Sequence, residues 1–188
     1  MRVRSALPLL ALVIFAAALH VAAKGTGLYD DLALLPPDTP APGFNLRGLD
    51  NEPVRLSLLK GRVVWIIFGR TDHGASKLQL REAREIAAEI GDDDLSILFL
   101  AQSEDFSAVR SFVVENGSPA AMLFDAGGRV ARRYAVRDWP TSYLVGRDGA
   151  VVDGRRGVLR ASDGRFINRV QSALRSGRKN RGAGGNAP

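Results

Sequence analysis

Six consecutive apolar residues, Val63-Val64-Trp65-Ile66-Ile67-Phe68, run straight into Gly69-Arg70-Thr71-Asp72-His73-Gly74-Ala75-Ser76-Lys77. An uninterrupted apolar run of this length, bounded by turn residues, reads as a strand buried on both faces of a sheet. A helical pattern leaves from Ser76, with Leu80, Ala83, Ala87 and Ile90 at helical spacing and Gly91 as the stop. Asp72 is the expected N-cap. A two-sided strand feeding a helix needs a sheet to sit in and a second strand beyond the helix, so the rest of the chain must supply both.

Leu95-Ser96-Ile97-Leu98-Phe99-Leu100 is a second buried-strand run, followed by a predicted helix over 106–115 that closes at Asn116-Gly117. Ala121-Met122-Leu123-Phe124 is a third strand, with a turn at 125–128. Ser142-Tyr143-Leu144-Val145 and Ala150-Val151-Val152 flank Arg147-Asp148-Gly149, a hairpin signal, and a last helix is expected over 163–174. Upstream, Phe44-Asn45-Leu46 and Val54-Arg55-Leu56 read as short strands around a turn at 48–51. The pattern describes a mixed α/β sandwich with parallel and antiparallel pairs.

The chain has 188 residues and no cysteine, which excludes disulfides, thiolate metal sites and thiol catalysis by its own residues. Arg2 and Arg4 precede an apolar stretch from Leu7 to Ala23, read as a signal peptide or signal anchor over 1–23 that forms an N-terminal hydrophobic helix. The flanking arginines place the body on the extracytoplasmic side. That domain is single-pass at the cell membrane if the segment stays, and secreted or periplasmic if it is cut. Residues 24–39, rich in proline and glycine, read as a linker, 40–175 as the domain, and 176–188 as a basic, glycine-rich disordered tail. Charge is uneven: residues 25–125 hold nine basic and sixteen acidic side chains, whereas 126–188 hold fourteen basic and four acidic. The basic region is expected to be a solvated face, with an anionic surface as the alternative partner and no nucleic acid.

On these residues the chain resembles the redoxin branch of the thioredoxin superfamily. That branch takes in the TlpA/ResA-like thiol-disulfide oxidoreductases and the alkyl hydroperoxide reductase/thiol-specific antioxidant group. Four strings in order carry the resemblance over about 40–175: Pro40-Ala41-Pro42-Gly43-Phe44-Asn45-Leu46, the stretch from Val54 to Val64, the stretch from Phe124 to Val136, and Trp139-Pro140-Thr141-Ser142-Tyr143-Leu144-Val145-Gly146-Arg147-Asp148-Gly149. It implies a thioredoxin-like α/β fold whose central mixed sheet is flanked by helices. It also implies that Cys-x-x-Cys, which such enzymes carry where a helix N-terminus stabilises a thiolate, falls on His73-Gly74-Ala75-Ser76. Gly74 is kept, Ala75 replaces proline, and both cysteines are gone. Pro140 would be the family's cis-proline, here preceded by Trp139.

Three readings fit the degenerate pair. Ser76 could act as a nucleophile with His73 as base, since i and i+3 share a helix face. His73 could ligate a metal with carboxylates such as Asp72. The reading taken is the third, in which both are polar fillers of a retired redox site, with no cofactor and no metal. Trp139 is either an exposed hydrophobic anchor or a side chain packed under its loop. The expected function is a protein- or peptide-binding or accessory module, using Trp139, Pro140, Thr141 and His73. A thiol-disulfide or antioxidant-family enzyme, or an accessory working with a partner's cysteines, is the alternative.

Overall fold

The computed structural model describes residues 34–176. The expected leader or anchor, most of the expected linker and the tail beyond Ser176 lie outside the described residues. Among the described residues no helix is long and apolar enough to cross a membrane.

The long apolar run becomes β3 (Val63–Arg70), whose first seven residues are all buried. It is central because it has hydrogen-bonded neighbours on both sides. It pairs parallel with β4 (Leu95–Gln102) in the register Val63–Leu95 to Arg70–Gln102, and antiparallel with β6 (Thr141–Val145), Phe68 facing Thr141. β5 (Ala121–Phe124) pairs parallel with β4. β1 (Asn45–Gly48) and β2 (Pro53–Arg55) form a hairpin on the far side of β5. β7 (Val151–Arg156) completes a seven-stranded sheet in the order β2-β1-β5-β4-β3-β6-β7. The β6–β7 connection turns at Gly149, whose φ of 87° lies where only glycine is relaxed.

Alternation along β3 and β4 divides the core. Trp65, Ile67, Phe99 and Ala101 face one side, under α1 (Gly74–Ile90), α2 (Phe106–Asn116) and α4 (Gly164–Ser176). Ile66, Phe68, Leu98 and Leu100 face the other. That side is closed by the short α3 (Arg129–Arg133), by Tyr134 and Tyr143, and by residues 34–46. The last described part of the proline-rich stretch lies along the β6–β7 hairpin. The Asp38 N–H donates to the Val151 carbonyl at 2.8 Å, the Val151 N–H to Thr39 at 2.8 Å, and the Leu35 N–H to the Tyr143 hydroxyl at 3.1 Å.

Two local expectations need correction. α1 begins at Gly74 with His73 as N-cap residue, not with Asp72, and no side chain caps it. Asp72 instead holds Arg70 in a two-pronged ion pair at 2.9 and 2.7 Å. A charged fork two residues away outcompetes the helix N–H groups for the carboxylate. The buried stripe of α1 is Ser76, Gln79, Leu80, Ala83 and Ile86, leaving Ala87 and Ile90 half-buried at the edge. The turn at 125–128 is a 3-10 turn (Ala126–Gly128) leading into α3. The buried Asp125 carboxylate organises both by accepting from the N–H groups of Val130 at 3.0 Å and Ala131 at 2.9 Å.

Candidate functional site

β3 and β4 run parallel, so their C-terminal ends and the N-terminal end of antiparallel β6 gather at one rim of the sheet. In open α/β sheets this is the rim where sites are built. One residue past the last ladder pair, Phe68–Thr141, the two chains continue as Gly69 and Pro140, so the loop before β6 lies beside the β3–α1 corner. Trp139-Pro140 is a cis peptide bond. The sheet topology therefore sets the two segments, 73–76 and 139–141, at the same rim although more than sixty residues of chain separate them.

The backbone at the corner is crowded. A Cβ on Gly69 would stand 2.3 Å from Cζ of Phe99, which explains why the residue between Phe68 and Arg70 has no side chain. Ser76 is fully buried, and its hydroxyl accepts the Arg70 N–H at 3.1 Å, tying the first helical turn to the strand end. His73 is exposed, with an extended backbone (φ −109°, ψ 119°), and its carbonyl accepts the Ser76 N–H at 2.9 Å. The guanidinium of Arg70, by hydrogen bonding first and charge second, holds the Asp72 carboxyl below the usual carboxylate range. Both partners stay well exposed, so the pair shapes the surface charge more than it stabilises the fold.

The opposing loop is held from several sides. The Thr141 hydroxyl donates to the Asp138 carbonyl at 2.7 Å, the Gly157 N–H donates to the Pro140 carbonyl at 2.8 Å, and Arg156 pairs with Asp138 at 3.4 Å. Thr141 and Pro140 are buried, and Trp139 is half-buried against the apolar layer beneath. Both readings of Trp139 are thus partly realised: one side packs and the other meets solvent. Among the described residues, no hydrogen bond engages the main-chain N–H or C=O of Trp139.

Of the five residues His73, Ser76, Trp139, Pro140 and Thr141, His73 and Trp139 present side-chain surface at the rim. Ser76 and Thr141 are structural ties, and Pro140 sets the loop. Among the described residues no side-chain hydrogen bond joins the Ser76 hydroxyl to the His73 ring, and a fully buried hydroxyl engaged by a main-chain N–H has no access to an acyl substrate. Among the described residues no three His, Asp or Glu side chains cluster as a metal site.

Sequence reasoning missed Gln79, one turn below Ser76. Its amide is fully buried and bonds both main-chain groups of Leu159, accepting from the N–H at 2.7 Å and donating to the C=O at 3.3 Å. The signal was present: Gln79 is i+3 from Ser76 and shares its buried face.

A model described as the AhpC/TSA family matches residues 37–153. The thiol-disulfide oxidoreductase ResA of Bacillus anthracis is 28% identical over 113 residues, 60% of this chain and 65% of that one. The protein of the same name from Halalkalibacterium halodurans is 24% identical over 134 residues, 71% of this chain and 76% of that one. The chain thus spans just under two thirds of the length of the Bacillus anthracis relative. A thiol:disulfide interchange protein of Chlorobium tepidum superposes with a TM-score of 0.63 at 21% identity, covering 76% of this chain and 99% of that one. A secreted Mycobacterium tuberculosis disulfide oxidoreductase superposes with a TM-score of 0.58 at 22% identity, covering 69% and 95%. These likenesses establish the thioredoxin-like fold.

Proposed function

The chain belongs to the AhpC/TSA family, and from that premise we propose that it is an extracytoplasmic, membrane-anchored binding module that has kept the family's scaffold and given up its thiol chemistry. The groove between His73–Ser76 and Trp139–Thr141 takes an extended segment of a partner protein or peptide. The observation that carries this reading is the free Trp139 main chain beside a half-exposed indole. A strand-like segment adds two hydrogen bonds there and gains an aromatic anchor, the combination on which peptide capture by strand addition depends. The loop around Trp139 is pre-organised by Thr141, Gly157 and Arg156, so little ordering entropy is lost on binding. No cysteine stands in the 188 residues, so thiol-disulfide turnover by this chain alone has no nucleophile.

A second reading is favoured by the relatives, whose names carry thiol-disulfide oxidoreductase activity. In it the groove receives a partner that brings the cysteines. Cross-linking separates the two. Trp139→Cys makes a single thiol, to which a photoreactive group is attached, with Leu58→Cys as an exposed control away from the groove. The expected result is a discrete adduct from position 139 and none from position 58. A partner carrying a redox cysteine pair at the adduct favours the second reading. Absence of any adduct specific to position 139, or measurable insulin reduction by the unmodified chain, would overturn the proposal.

A further inference from the structure

α4 places Arg165, Asn168, Arg169 and Ser172 at i, i+3, i+4 and i+7, one face of a helix, and all four are exposed. Phe166, Ile167, Val170 and Leu174 fill the opposite, buried face. No acidic residue occurs anywhere in the helix. Arg155 of β7 closes a shallow depression of about 560 Å3 with these four residues. A second depression of about 460 Å3, lined also by Arg147 and Asp148, shares Arg169 and Ser172 with it and extends this band to Ser176.

Most arginines elsewhere in this part of the chain have internal work. Arg147 bonds Asp94 at 2.8 Å and the Leu174 carbonyl at 3.1 Å. Along the band the charges are looser. Arg155 is paired with Asp153 at 3.0 Å, while Arg165, 87% exposed, stands 4.0 Å from Asp163. Among the described residues Arg169 and Arg175 have no ion-pair partner. Two of these four cations, Arg169 and Arg175, are thus left without a counter-charge among the described residues, and that surplus raises the local potential and draws an anionic surface to it.

The chemistry of the band favours one kind of anionic surface. The large exposed hydrophobics, Leu58 and Val114, lie elsewhere, so the band lacks the desolvated apolar centre on which specific protein interfaces depend. A layer of phosphate headgroups asks only for charge and for donors of the right shape, and the planar guanidinium fork bonds phosphate oxygens in pairs. We propose that the outward face of α4, together with Arg155, is a docking surface for the anionic phospholipid headgroups of a bilayer. The contact is superficial, electrostatic and reversible by salt. It does not depend on the reading of the Trp139 groove.

The absence of native cysteine makes the test direct. The full chain carrying Ser172→Cys is labelled with a fluorescent donor and reconstituted in vesicles bearing a headgroup-attached acceptor. The vesicles are phosphatidylcholine alone or phosphatidylcholine mixed with phosphatidylglycerol. Strong energy transfer is expected only in the mixed vesicles, falling as salt is raised. A donor at Val114→Cys on α2 should not distinguish the two lipids. Arg165→Gln with Arg169→Gln should lower the ratio of docked to free domain on the order of tenfold, with an unchanged circular dichroism spectrum. Equal transfer in both lipids, or transfer indifferent to the double substitution, would overturn the assignment. So would salt-sensitive binding to soluble polyglutamate without any vesicle response, which would give the face to an acidic protein instead.

Discussion

Ser76 stands at one of the two positions where the resemblance places the family's cysteines. Its hydroxyl has the size of a thiol, but it is buried and committed to the Arg70 N–H, so it holds the corner of strand and helix together. His73 occupies the other position on the exposed lip, at the positive end of the α1 dipole. The residue-scale consequence is that the corner has the geometry to carry two thiols. His73→Cys with Ser76→Cys should give a pair that closes to an intramolecular disulfide under mild oxidation, read as the loss of two alkylation sites by mass spectrometry. The exposed Cys at 73 should be the thiol that reacts first with alkylating agents. Two thiols that never join would count against equating 73–76 with the family's redox motif. Trp139 and Pro140 were legible in the sequence because a motif string runs through them, and His73 and Ser76 because the junction of an apolar run with a helical pattern marks their place. The burial of Ser76 and Thr141, and the diversion of Asp72 from helix cap to ion pair, were not. Each depends on which neighbour wins a hydrogen bond, and several candidates stood within reach in sequence.

At the scale of elements, α1 does more than follow the strand. Gln79 and Glu82, on one of its faces, hold the loop that joins β7 to α4. Gln79 bonds both main-chain groups of Leu159, and the Glu82 carboxylate accepts the Ala161 N–H at 2.8 Å and lies 3.7 Å from Arg160. In effect, the Gln79 amide stands in for a strand partner in a connection that has none. Gln79→Leu should leave the buried N–H and C=O of Leu159 unpaired and cost about 3 kcal/mol of stability, measured by urea denaturation. A cost near zero would mean the loop finds other partners. The long strands and helices were readable because each repeats its pattern over eight or more residues. α3 was not, since five residues hold little more than one turn of periodicity, and its formation rests on a single buried carboxylate, Asp125, folding back on its N–H groups. The stripe of α1 was read one position off toward its C-terminal end because Ile86, not Ala87, points into the sheet.

For the whole molecule, the layer of aromatic rings beneath the Trp139 loop joins parts far apart in sequence. Phe68, Tyr134 and Tyr143 pack with ring centres 5.0 to 6.2 Å apart. The Tyr143 hydroxyl donates to the Tyr134 carbonyl at 2.6 Å, whereas the Tyr134 hydroxyl is buried without a partner among the described residues. Burial pushes both phenols above their ordinary value, Tyr134 furthest. The unfolded chain releases these protons near pH 10, while the folded chain keeps them. Stability is therefore unaffected by these groups below about pH 10 and falls as the pH rises beyond it. The sequence has one further tyrosine, Tyr29, outside the described residues; in a Tyr29→Phe chain, phenolate absorbance should appear only with a single cooperative unfolding step. Gradual ionisation near pH 10 in a folded chain would show the rings to be open to solvent. What the sequence determined alone was the long strands and helices and the absence of thiols, since periodicity, turn residues and cysteine content are properties of the chain itself, while its motif strings implied the thioredoxin-like scaffold by resemblance. The juxtaposition of 73–76 with 139–141, the free main chain at Trp139, and the cationic face of α4 were decided only in three dimensions. They depend on strand order, on register and on which charges find partners, and none of these is a property of any single stretch of chain.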